Sequence, residues 1–441
     1  MKKNIIYFSA LVSFLIPLFF WWNSSGQLFT EGFPSILLAL GRLYGLLAVY
    51  FVLWQFLLAG RMPLLETTFG LDALSRIHQK NGKIAIIFIL LHPMFIVISY
   101  SMMGKISLWS QIVEFVTQYE DMLQAIIAVG LFVTVVGMSI YIVRKHLKYE
   151  TWYFVHLATY LAVLLAYGHQ LELGGDFIGN TLFVLYWYFL YAVVFGSLFF
   201  FRFFLPLYQT WKHGFYLSEV TQETKNAVSY YIEGKNMKGF KVKGGQFMIF
   251  RFLSKGLWHE AHPFSLSALN TGKRIRITAK KAGDFTHKLP SVKPGTKVVI
   301  DGPYGIFTSK SAVTDKILFL AGGVGITPIR SLIEEMGPLK KDMILLYQNK
   351  SEDEIVFRKE IDDLASKYKI KVVHIVSNDL NFKGEHGEIS EGRIKKFAPD
   401  FLERDIYFCG SPDFLNKTMH LLKALKVQKR LMHYEQFSFH F

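Results

Sequence analysis

The stretch WYFVHLATYLAVLLAYGH (residues 152–169) places His156 and His169 in an apolar run long enough to cross a membrane. An imidazole in hydrocarbon costs free energy unless something binds or pairs it, so such residues mark candidate functional sites. The alternative for either histidine taken singly is a structural hydrogen bond between helices. A second pair of histidines at matching depths in another span would favour a functional site over a structural hydrogen bond.

That second pair lies in SRIHQKNGKIAIIFILLHPMF (residues 75–95), which carries His78 and His92. Their spacing of 14 residues corresponds to about 21 Å along a helix axis, and the 13 residues of the first stretch to about 20 Å. In helical phase, 14 steps return to within about 40° of the starting face, whereas 13 steps end about 140° away. We therefore expect either a local distortion in the helix of the first stretch or a divergence of its ends from ideal helix geometry.

Long apolar runs fill the first half of the chain. Of 441 residues, 51% are hydrophobic and 19% charged, which is too apolar for an ordinary soluble protein. Runs of about 20 residues, the length that crosses a bilayer, occur at residues 4–22, 35–59, 84–103, 123–143, 151–171 and 181–205. The first run lacks a small-residue cleavage site and is interpreted as a retained span. Six spans place both termini on one side.

The charges of the loops predict the orientation. The basic loops contain Lys2 and Lys3, then Arg61, Arg76, Lys80 and Lys83, then Arg144, Lys145 and Lys148, and finally Arg202. By the positive-inside rule, these loops, both termini and the second half are cytoplasmic, with Lys105 as the main exception. His78 and His156 then form an inner pair and His92 and His169 an outer pair. The pairs predict two stacked haems with bis-imidazole ligation.

The second half has the composition of a soluble, basic protein. Residues 209–441 hold 37 Lys and Arg against 25 Asp and Glu, a net charge of +12. This excess suits an anionic cofactor or an acidic membrane surface, and no basic helix supports nucleic acid binding. The single cysteine, Cys409, excludes an intrachain disulfide and a cysteine-based metal cluster. A redox centre would need histidine ligands or an organic cofactor.

Short strand-like segments with Gly and Lys turns follow residue 215 and predict a small β-barrel. They read AVSYYIEG, GFKVKGGQFMIFRF, RIRITAKKAG and TKVVIDGPYG. After residue 316, KILFLAGGVGITPIRSLIEEM predicts a buried strand, a glycine turn and a helix, and DMILLYQNK, IKVVHIVSN and RDIYFCGSPDF predict further parallel strands. The fold prediction is a six-span helical membrane bundle (1–208), a β-barrel domain (209–310) and an α/β nucleotide-binding domain (311–441).

The turn AGGVGITP (residues 321–328) has the features of a phosphate site. Gly322, Gly323 and Gly325 let backbone amides approach a pyrophosphate, and the N-terminus of the following helix favours negative charge. A glycine-rich turn alone is weak evidence. It occurs here with the other motifs HPFSLS (262–267), GDFT (283–286), DGPYG (301–305) and CGSPDF (409–414).

In this order and spacing, the motifs resemble the ferredoxin-reductase-like flavoprotein module. Together with the histidine pairs, the whole chain resembles the NADPH oxidase and ferric reductase superfamily. The resemblance implies that Phe264 and Ser265 lie near the flavin ring of FAD, with His262 toward its phosphate side and Thr286 on the pyrophosphate. The other FAD contacts implied by these motifs are Pro263, Ser267 and Gly283.

The resemblance also implies a nicotinamide site. Gly322, Gly323, Gly325, Thr327 and Pro328 would receive the phosphates of NAD(P)H, and Cys409 and Gly410 would flank the nicotinamide. Phe437 would cover the flavin ring, with Phe439 and Phe441 as rivals. The residues expected at the reaction centre are Phe437, Cys409 and Ser265. After the strand MILLYQNK, Lys350 favours NADPH, whereas Glu352 and Asp353 favour NADH.

The implied activity is electron transfer from NAD(P)H through FAD, the inner haem and the outer haem to an external acceptor, either dioxygen giving superoxide or a ferric chelate. Animal oxidases of the family carry another histidine at the position of Ile96. No calcium-binding loop or proline-rich motif predicts a protein activator. The alternatives are a membrane-anchored flavin reductase without haem and a transporter fused to a redox domain.

Overall fold

The computed structural model describes residues 2–140, 146, 149–172, 174–379 and 381–435. They form two compact units, Met1–Met62 with Leu74–Phe199, and Pro63–Ala73 with Phe200–Phe441. Arg144, Lys145 and Lys148, on which the predicted orientation depends in part, lie outside the described residues, as do Phe437, Phe439 and Phe441.

Helices dominate the first half of the chain. They are α1 (Lys2–Ser25), α2 (Phe33–Ala59), α3 (Pro63–Phe69), α4 (Leu71–Gly104), α5 (Leu108–Gln118), α6 (Met122–Ser139), α7 (Tyr149–Glu172), α8 (Thr181–Leu198) and α9 (Leu205–His213). Among the described residues, six helical segments are long and apolar enough to cross a membrane: Lys2–Thr30, Phe33–Ala59, Leu71–Gly104, Met122–Ser139, Thr151–Leu171 and Thr181–His213. The predicted number of spans is confirmed.

Three of the predicted spans have a boundary that differs clearly from the structure, and the first of them continues beyond residue 22 to Thr30. The third span was predicted to begin at residue 84, but its helix, α4, begins at Leu71. The first turns of α4 are helical although they are polar and lack the apolar composition of a span. The sixth span does not end at residue 205, because π-helical Phe199–Phe204 and α9 continue it to His213.

Apolar side chains from four helices form the core of the first unit. Val52, Leu53 and Phe56 of α2 pack with Ile89 of α4, and Val163 of α7 and Val194 and Leu198 of α8 belong to the same cluster. The residues from α2 lie on one helix face because they are spaced by one, three and four positions. This packing fixes α2 beside the helices that carry the four histidines.

The second unit contains a six-stranded antiparallel sheet. Its strands are β1 (Tyr216–Thr224), β2 (Ala227–Glu233), β3 (Phe247–Phe252), β4 (His262–Ala268), β5 (Arg274–Lys280) and β6 (Val298–Tyr304), in the order β1-β2-β5-β4-β3-β6. A bridge between Tyr216 and Lys297 joins its two edges, so the sheet closes into the predicted barrel. A short helix, α10 (Asp284–Lys288), follows β5.

The barrel differs from its prediction in three strands. The structure adds β1 and β4, which the sequence did not predict, and it shortens GFKVKGGQFMIFRF to β3. Gly245, with φ of 81°, precedes β3 in a backbone conformation that ends regular strand pairing. The side chains of Phe250, Phe252 and Ile277 fill the interior.

A six-stranded sheet follows, and the pairs that join its strands are parallel. It contains β7 (Lys316–Gly322), β8 (Asp342–Asn349), β9 (Lys371–Val376), β10 (Glu385–His386), β11 (Asp405–Cys409) and β12 (Met432–Tyr434), in the order β10-β9-β8-β7-β11-β12. Its helices are α11 (Ile326–Met336), α12 (Arg358–Tyr368), α13 (Glu391–Phe397) and α14 (Pro412–Ala424). Phe319 and Leu320 of β7 face opposite cores, as expected for a sheet covered on both sides. The predicted α/β domain is confirmed.

Buried charges join the two sheets. Arg276 of β5, whose side chain is 5% exposed, donates to both carboxylate oxygens of Glu360 on α12 at 2.7 and 2.9 Å. The same carboxylate accepts from Arg330 Nε of α11 at 3.0 Å. The Arg276 guanidinium also lies 4.3 Å from the ring centre of Phe357. The Glu360 carboxylate therefore binds one arginine of the barrel and one arginine of the α/β domain.

Candidate functional site

The structure brings the four predicted histidines together as two pairs. The ring centres of His78 and His156 are 6.1 Å apart, and those of His92 and His169 are 6.0 Å apart. Each pair joins α4 to α7. The pairing derived from the sequence is the one that the structure contains.

Both separations fit a metal ion held between two imidazoles. With a nitrogen about 2 Å from the metal and the ring centre about 1.1 Å further away, two opposed rings have centres about 6 Å apart. Within the described ranges, no cluster of three or more His, Cys, Asp or Glu side chains is present. A haem needs only two protein ligands, because its porphyrin supplies four nitrogens. The histidine pairs therefore fit haem iron better than a bare metal ion.

Backbone carbonyls of α2 orient the two histidines of α4. His78 Nδ1 lies 3.2 Å from the Gln55 carbonyl oxygen, and His92 Nδ1 lies 2.9 Å from that of Gly41. A hydrogen bond at Nδ1 fixes the ring plane, so Nε2 is the nitrogen that would bind a metal ion. A Cβ on Gly45 would lie 2.8 Å from His92 Nδ1, so glycine leaves room for this ring.

The expected distortion of the helix that carries His156 and His169 is wrong. The helix α7 is α-helical without a break from Tyr149 to Glu172. Both imidazoles nevertheless reach their partners on α4. The 13-residue spacing is therefore compatible with an unbroken helix.

Arg42 is a functional candidate that the sequence analysis missed. It is the only charged residue in the apolar run 35–59, which is a recognisable signal of function within a membrane. Its Nη1 donates to Ser25 Oγ at 3.4 Å, and a Cβ on Gly175 would lie 2.6 Å from its Nη2. The preceding residue, Gly41, holds His92. Arg42 is therefore next in the chain to the residue that orients His92, and its guanidinium lies against Ser25 and Gly175.

The HPFS stretch forms the first part of β4. Phe264 and Ser265 pair with Met248 and Phe247 of β3. Phe264 is half-buried, and its ring centre lies 6.2 Å from that of Phe285. This arrangement leaves one side of the Phe264 ring supported by the barrel, as a residue beside a planar ligand requires.

His262 and Phe285 extend this surface. Their ring centres lie 3.9 Å apart, and His262 Nε2 lies 3.1 Å from Glu260 Oε2. Pro263 pairs with Ile249 of β3, so it belongs to the strand and lies between the two candidate contacts. His262, Pro263, Phe264 and Ser265 are consecutive residues of β4, an inner strand of the barrel that lies between β5 and β3.

Ser267 and Thr286 have hydroxyls that already have local partners. Ser267 is fully buried, and its Oγ lies 2.8 Å from Thr278 Oγ1 and 3.2 Å from Arg276 Nε. Thr286 Oγ1 accepts from the backbone N–H of Gly283 at 3.0 Å and donates to the same residue's carbonyl. Contact of either hydroxyl with FAD stays a prediction.

The glycine turn lies at the carboxyl end of β7, beside the end of β11. Gly323 has φ of 53°, and the turn leads directly into α11. A Cβ on Gly325 would overlap the Cys409 carbonyl oxygen, so the close approach of the two strands requires glycine there. A Cβ on Gly322 would lie 2.7 Å from the ring of Phe414. In parallel sheets such an edge is where nucleotides bind.

Thr327 and Pro328 lie in the first turn of α11 and are buried. The Thr327 hydroxyl donates to the Val324 carbonyl at 3.0 Å, which stabilises the turn. Gly410 follows Cys409 at the end of β11, and Lys350 follows β8 with an exposed side chain. The structure therefore gathers the predicted phosphate residues at one sheet edge.

Two buried acidic groups lie at this edge. Burial raises the pKa of the Cys409 thiol well above its ordinary value, and the Glu435 carboxylate raises this pKa further. Burial also raises the pKa of Glu435, with contributions from the carboxylates of Asp72 and Glu66. At neutral pH, Cys409 is a neutral thiol and suits packing against an uncharged ring better than nucleophilic attack.

Glu66 of α3 contacts the DGPYG motif at the end of β6. Its Oε1 accepts a 2.6 Å hydrogen bond from the Gly305 N–H, and its side chain is buried. Gly305 has φ of 104°, and a Cβ there would lie 2.8 Å from Glu435 Oε1. Burial raises the pKa of Glu66, whereas the Gly305 bond lowers it. The sequence did not predict this contact.

We expect an E66Q variant to lose part of the pH dependence of stability. The pKa of Glu66 is raised in the folded protein, so folding favours the protonated carboxyl. The wild type therefore has this contribution to its stability in full below pH 4.5, the ordinary pKa of glutamate, and loses it as pH rises. The amide oxygen of glutamine still accepts the Gly305 bond but cannot ionise. Relative to the wild type, E66Q should gain on the order of 1 kcal/mol from about pH 5 to about pH 8, measured by thermal unfolding in detergent.

The control is E66A, which removes the acceptor and should be destabilised at both pH values. A wild-type protein whose Tm rises relative to E66Q over the same range would contradict the assignment. Identical pH profiles for wild type and E66Q would contradict it too.

Comparisons with known families match three separate ranges of the chain. Residues 44–167 match the family described as ferric reductase like transmembrane component. Residues 215–308 match an FAD-binding domain, and residues 319–420 match an oxidoreductase NAD-binding domain. The chain has the domain architecture of the NADPH oxidase and ferric reductase superfamily. It combines a multi-pass membrane domain with an FAD- and NAD-binding oxidoreductase module.

Individual relatives share only part of this architecture. The glycine betaine monooxygenase reductase subunit of Pseudomonas aeruginosa is 28% identical over 248 residues, which is 52% of this chain and 66% of that subunit. A flavohemoprotein of Bacillus subtilis is 23% identical over 51% of this chain and 59% of its own length. The FAD/NAD-binding domain of nitric oxide dioxygenase from Vibrio cholerae aligns with a TM-score of 0.46 and 23% identity, covering 50% of this chain and 97% of that domain.

Proposed function

We propose that this protein transfers electrons across a membrane from NAD(P)H, through FAD and two b-type haems, to an acceptor on the opposite side. The observation that carries the proposal is the presence of two histidine pairs, with ring centres 6.1 and 6.0 Å apart, on the same two helices. One structural histidine is ordinary in a membrane bundle. Two pairs with the separation of bis-imidazole ligation require a common explanation.

When bound, FAD converts the electron pair of a hydride into single electrons, which haem iron carries one at a time. The residues of this chain bind and orient these groups. Gly322, Gly323 and Gly325 admit the nicotinamide phosphates to backbone N–H groups at the start of α11. Phe264 supports the flavin ring, while buried Cys409 excludes water from the nicotinamide.

The acceptor that we propose is dioxygen. One NAD(P)H and two dioxygen molecules then give NAD(P)⁺, one proton and two superoxide ions. The positive-inside rule supports a cell membrane protein with both termini in the cytoplasm, so superoxide forms outside. No obligatory protein activator is part of the proposal.

A ferric chelate is the second candidate acceptor, and Ile96 favours it. A Cβ on Gly41 would lie 2.8 Å from Ile96 Cδ1, so this apolar side chain fills the space beside the carbonyl that orients His92. Isoleucine supplies no hydrogen bond to reduced oxygen. Superoxide detection and ferric-chelate reduction, assayed on the same preparation, separate the two acceptors.

The decisive experiment is the anaerobic reduced-minus-oxidised spectrum of the purified protein with FAD and NADPH. Two b-type haems per chain that become reduced on addition of NADPH are the expected result. Absence of a haem spectrum would overturn the proposal and leave a flavin reductase with a membrane anchor. Haem that dithionite reduces but NADPH does not would overturn the electron path.

We expect the K350A variant to lose preference for NADPH. The exposed Lys350 ammonium follows β8 and would attract a 2′-phosphate, which NADH lacks. K350A should therefore raise the KM for NADPH more than tenfold, about 1.4 kcal/mol, and leave that for NADH unchanged. Steady-state kinetics with both nucleotides provide the measurement, and equal effects on both would contradict a phosphate contact.

A further inference from the structure

The last candidate span is longer than a bilayer requires. Thr181–His213 contains 33 residues, or about 50 Å of helix, whereas the hydrocarbon core is about 30 Å thick. Its final part comprises π-helical Phe199–Phe204 and α9, and this part belongs to the second unit. These residues therefore extend beyond the segment that is needed to cross the membrane.

Four aromatic residues form a continuous edge along this extension. They are Phe200, Phe204, Tyr208 and Trp211, and we call them the aromatic edge. Spacings of four, four and three residues place them on one helix face. Successive ring centres are 5.4, 6.0 and 6.1 Å apart. Their exposures are 46%, 47%, 43% and 80% in chain order, so the edge is open along its whole length.

Other residues of α9 are packed against the barrel. Pro206 and His213 are buried, and α9 lies against β6. His213 Nδ1 lies 3.0 Å from the Lys235 carbonyl oxygen, and its ring stacks on Phe215 with centres 5.2 Å apart. The protein thus fixes α9 through one side and leaves four aromatic side chains on another side uncovered.

We propose that the aromatic edge binds the interfacial region of the bilayer, at the leaflet from which the last span emerges. Its rings would lie among the headgroups and the first carbons of the acyl chains. Tyr and Trp prefer this region because an apolar ring and a polar hydrogen-bonding group can both be satisfied there. The edge begins within the candidate span itself, so a membrane surface is continuous with it.

Charge around the edge also favours a lipid surface over a second protein. Lys212 Nζ lies 5.8 Å from the ring centre of Tyr208, which places an ammonium group next to the rings. Residues 209–441 carry a net charge of +12. Anionic headgroups attract both charges, whereas a second copy of this basic unit would be repelled.

The inference does not depend on haem or on the acceptor, so it can fail separately from the proposed function. The test places an environment-sensitive fluorophore on Trp211→Cys in the full chain, reconstituted in nanodiscs. Leu339→Cys is the matched control, because Leu339 is 60% exposed on the parallel-sheet part of the same unit. Cys409 is fully buried, and the labelled parent chain measures its background. Flavin absorbance confirms that each variant is folded.

The expected result is a blue-shifted emission at position 211 and at least threefold stronger quenching by lipids with a spin label near the headgroup than at position 339. Tyr208→Cys should behave like Trp211→Cys. Equal lipid quenching at positions 211 and 339 would overturn the proposal and place the edge in water. A blue shift without lipid quenching would also overturn it, because the edge would then be covered by protein.

Discussion

Replacing His92 by leucine should halve the haem content of the purified protein and abolish reduction of the external acceptor. His92 and His169 have the ring separation of two ligands to one iron, so the H92L variant removes one of the two protein ligands of the outer haem. The inner pair, His78 and His156, is unchanged and should still bind its haem. The measurements are pyridine haemochrome content per chain and acceptor reduction in reconstituted vesicles.

The reductase half provides the internal standard for this variant. NADPH-dependent reduction of a soluble dye at the flavin should stay at the wild-type rate, because no flavin or nucleotide contact is altered. Met94→Leu is the matched control on the same helix, since Met94 is 46% exposed and its substitution conserves volume. An H92L protein that retains two haems per chain would refute the ligand assignment.

Replacing Gly325 by alanine should nearly abolish oxidation of NADPH while FAD remains bound. The added Cβ would overlap the Cys409 carbonyl oxygen. Neither the Cβ nor the carbonyl can rotate away, so the glycine turn must move away from the end of β11. A displacement of about 1 Å at a reacting centre can reduce the rate about 100-fold. Stopped-flow reduction of the flavin by NADPH should fall by that order.

Gly392→Ala is the matched control for the G325A variant. Gly392 lies in α13 of the same sheet domain, and a Cβ there meets nothing within 4 Å. It should bind FAD and oxidise NADPH like the wild type. G325A with an unchanged flavin reduction rate would show that the strand ends tolerate separation and that the glycine is not required for nicotinamide approach.

The sequence predicted the parts of this molecule that depend on composition and local pattern. Six apolar runs predicted the six spans, and the glycine turn with its flanking strand and helix predicted the nucleotide edge. The helix start at Leu71 was missed because its first turns are polar and carry no signal of a membrane span. The strand β4 was missed because a proline and several serines obscure its alternation.

Contacts between distant residues could not be predicted in the same way. Glu66 and Gly305 are 239 residues apart, and nothing in either local sequence indicates their hydrogen bond. The argument from helical phase for His156 and His169 failed because it gave each side chain one fixed direction from the helix axis. The C-terminal aromatic Phe437 lies outside the described residues, so its role over the flavin stays a prediction.

The carboxylate of Glu360 has a consequence for how the reductase half keeps its cofactors. It binds Arg276 of the barrel and, within the α/β domain, Arg330 of α11, so separating the barrel from the α/β domain leaves the buried guanidinium of Arg276 without its anion. Such a unit has no inexpensive half-open state. We therefore expect nucleotides to exchange through small local movements, and damage that separates the two sheets to release flavin and nicotinamide together.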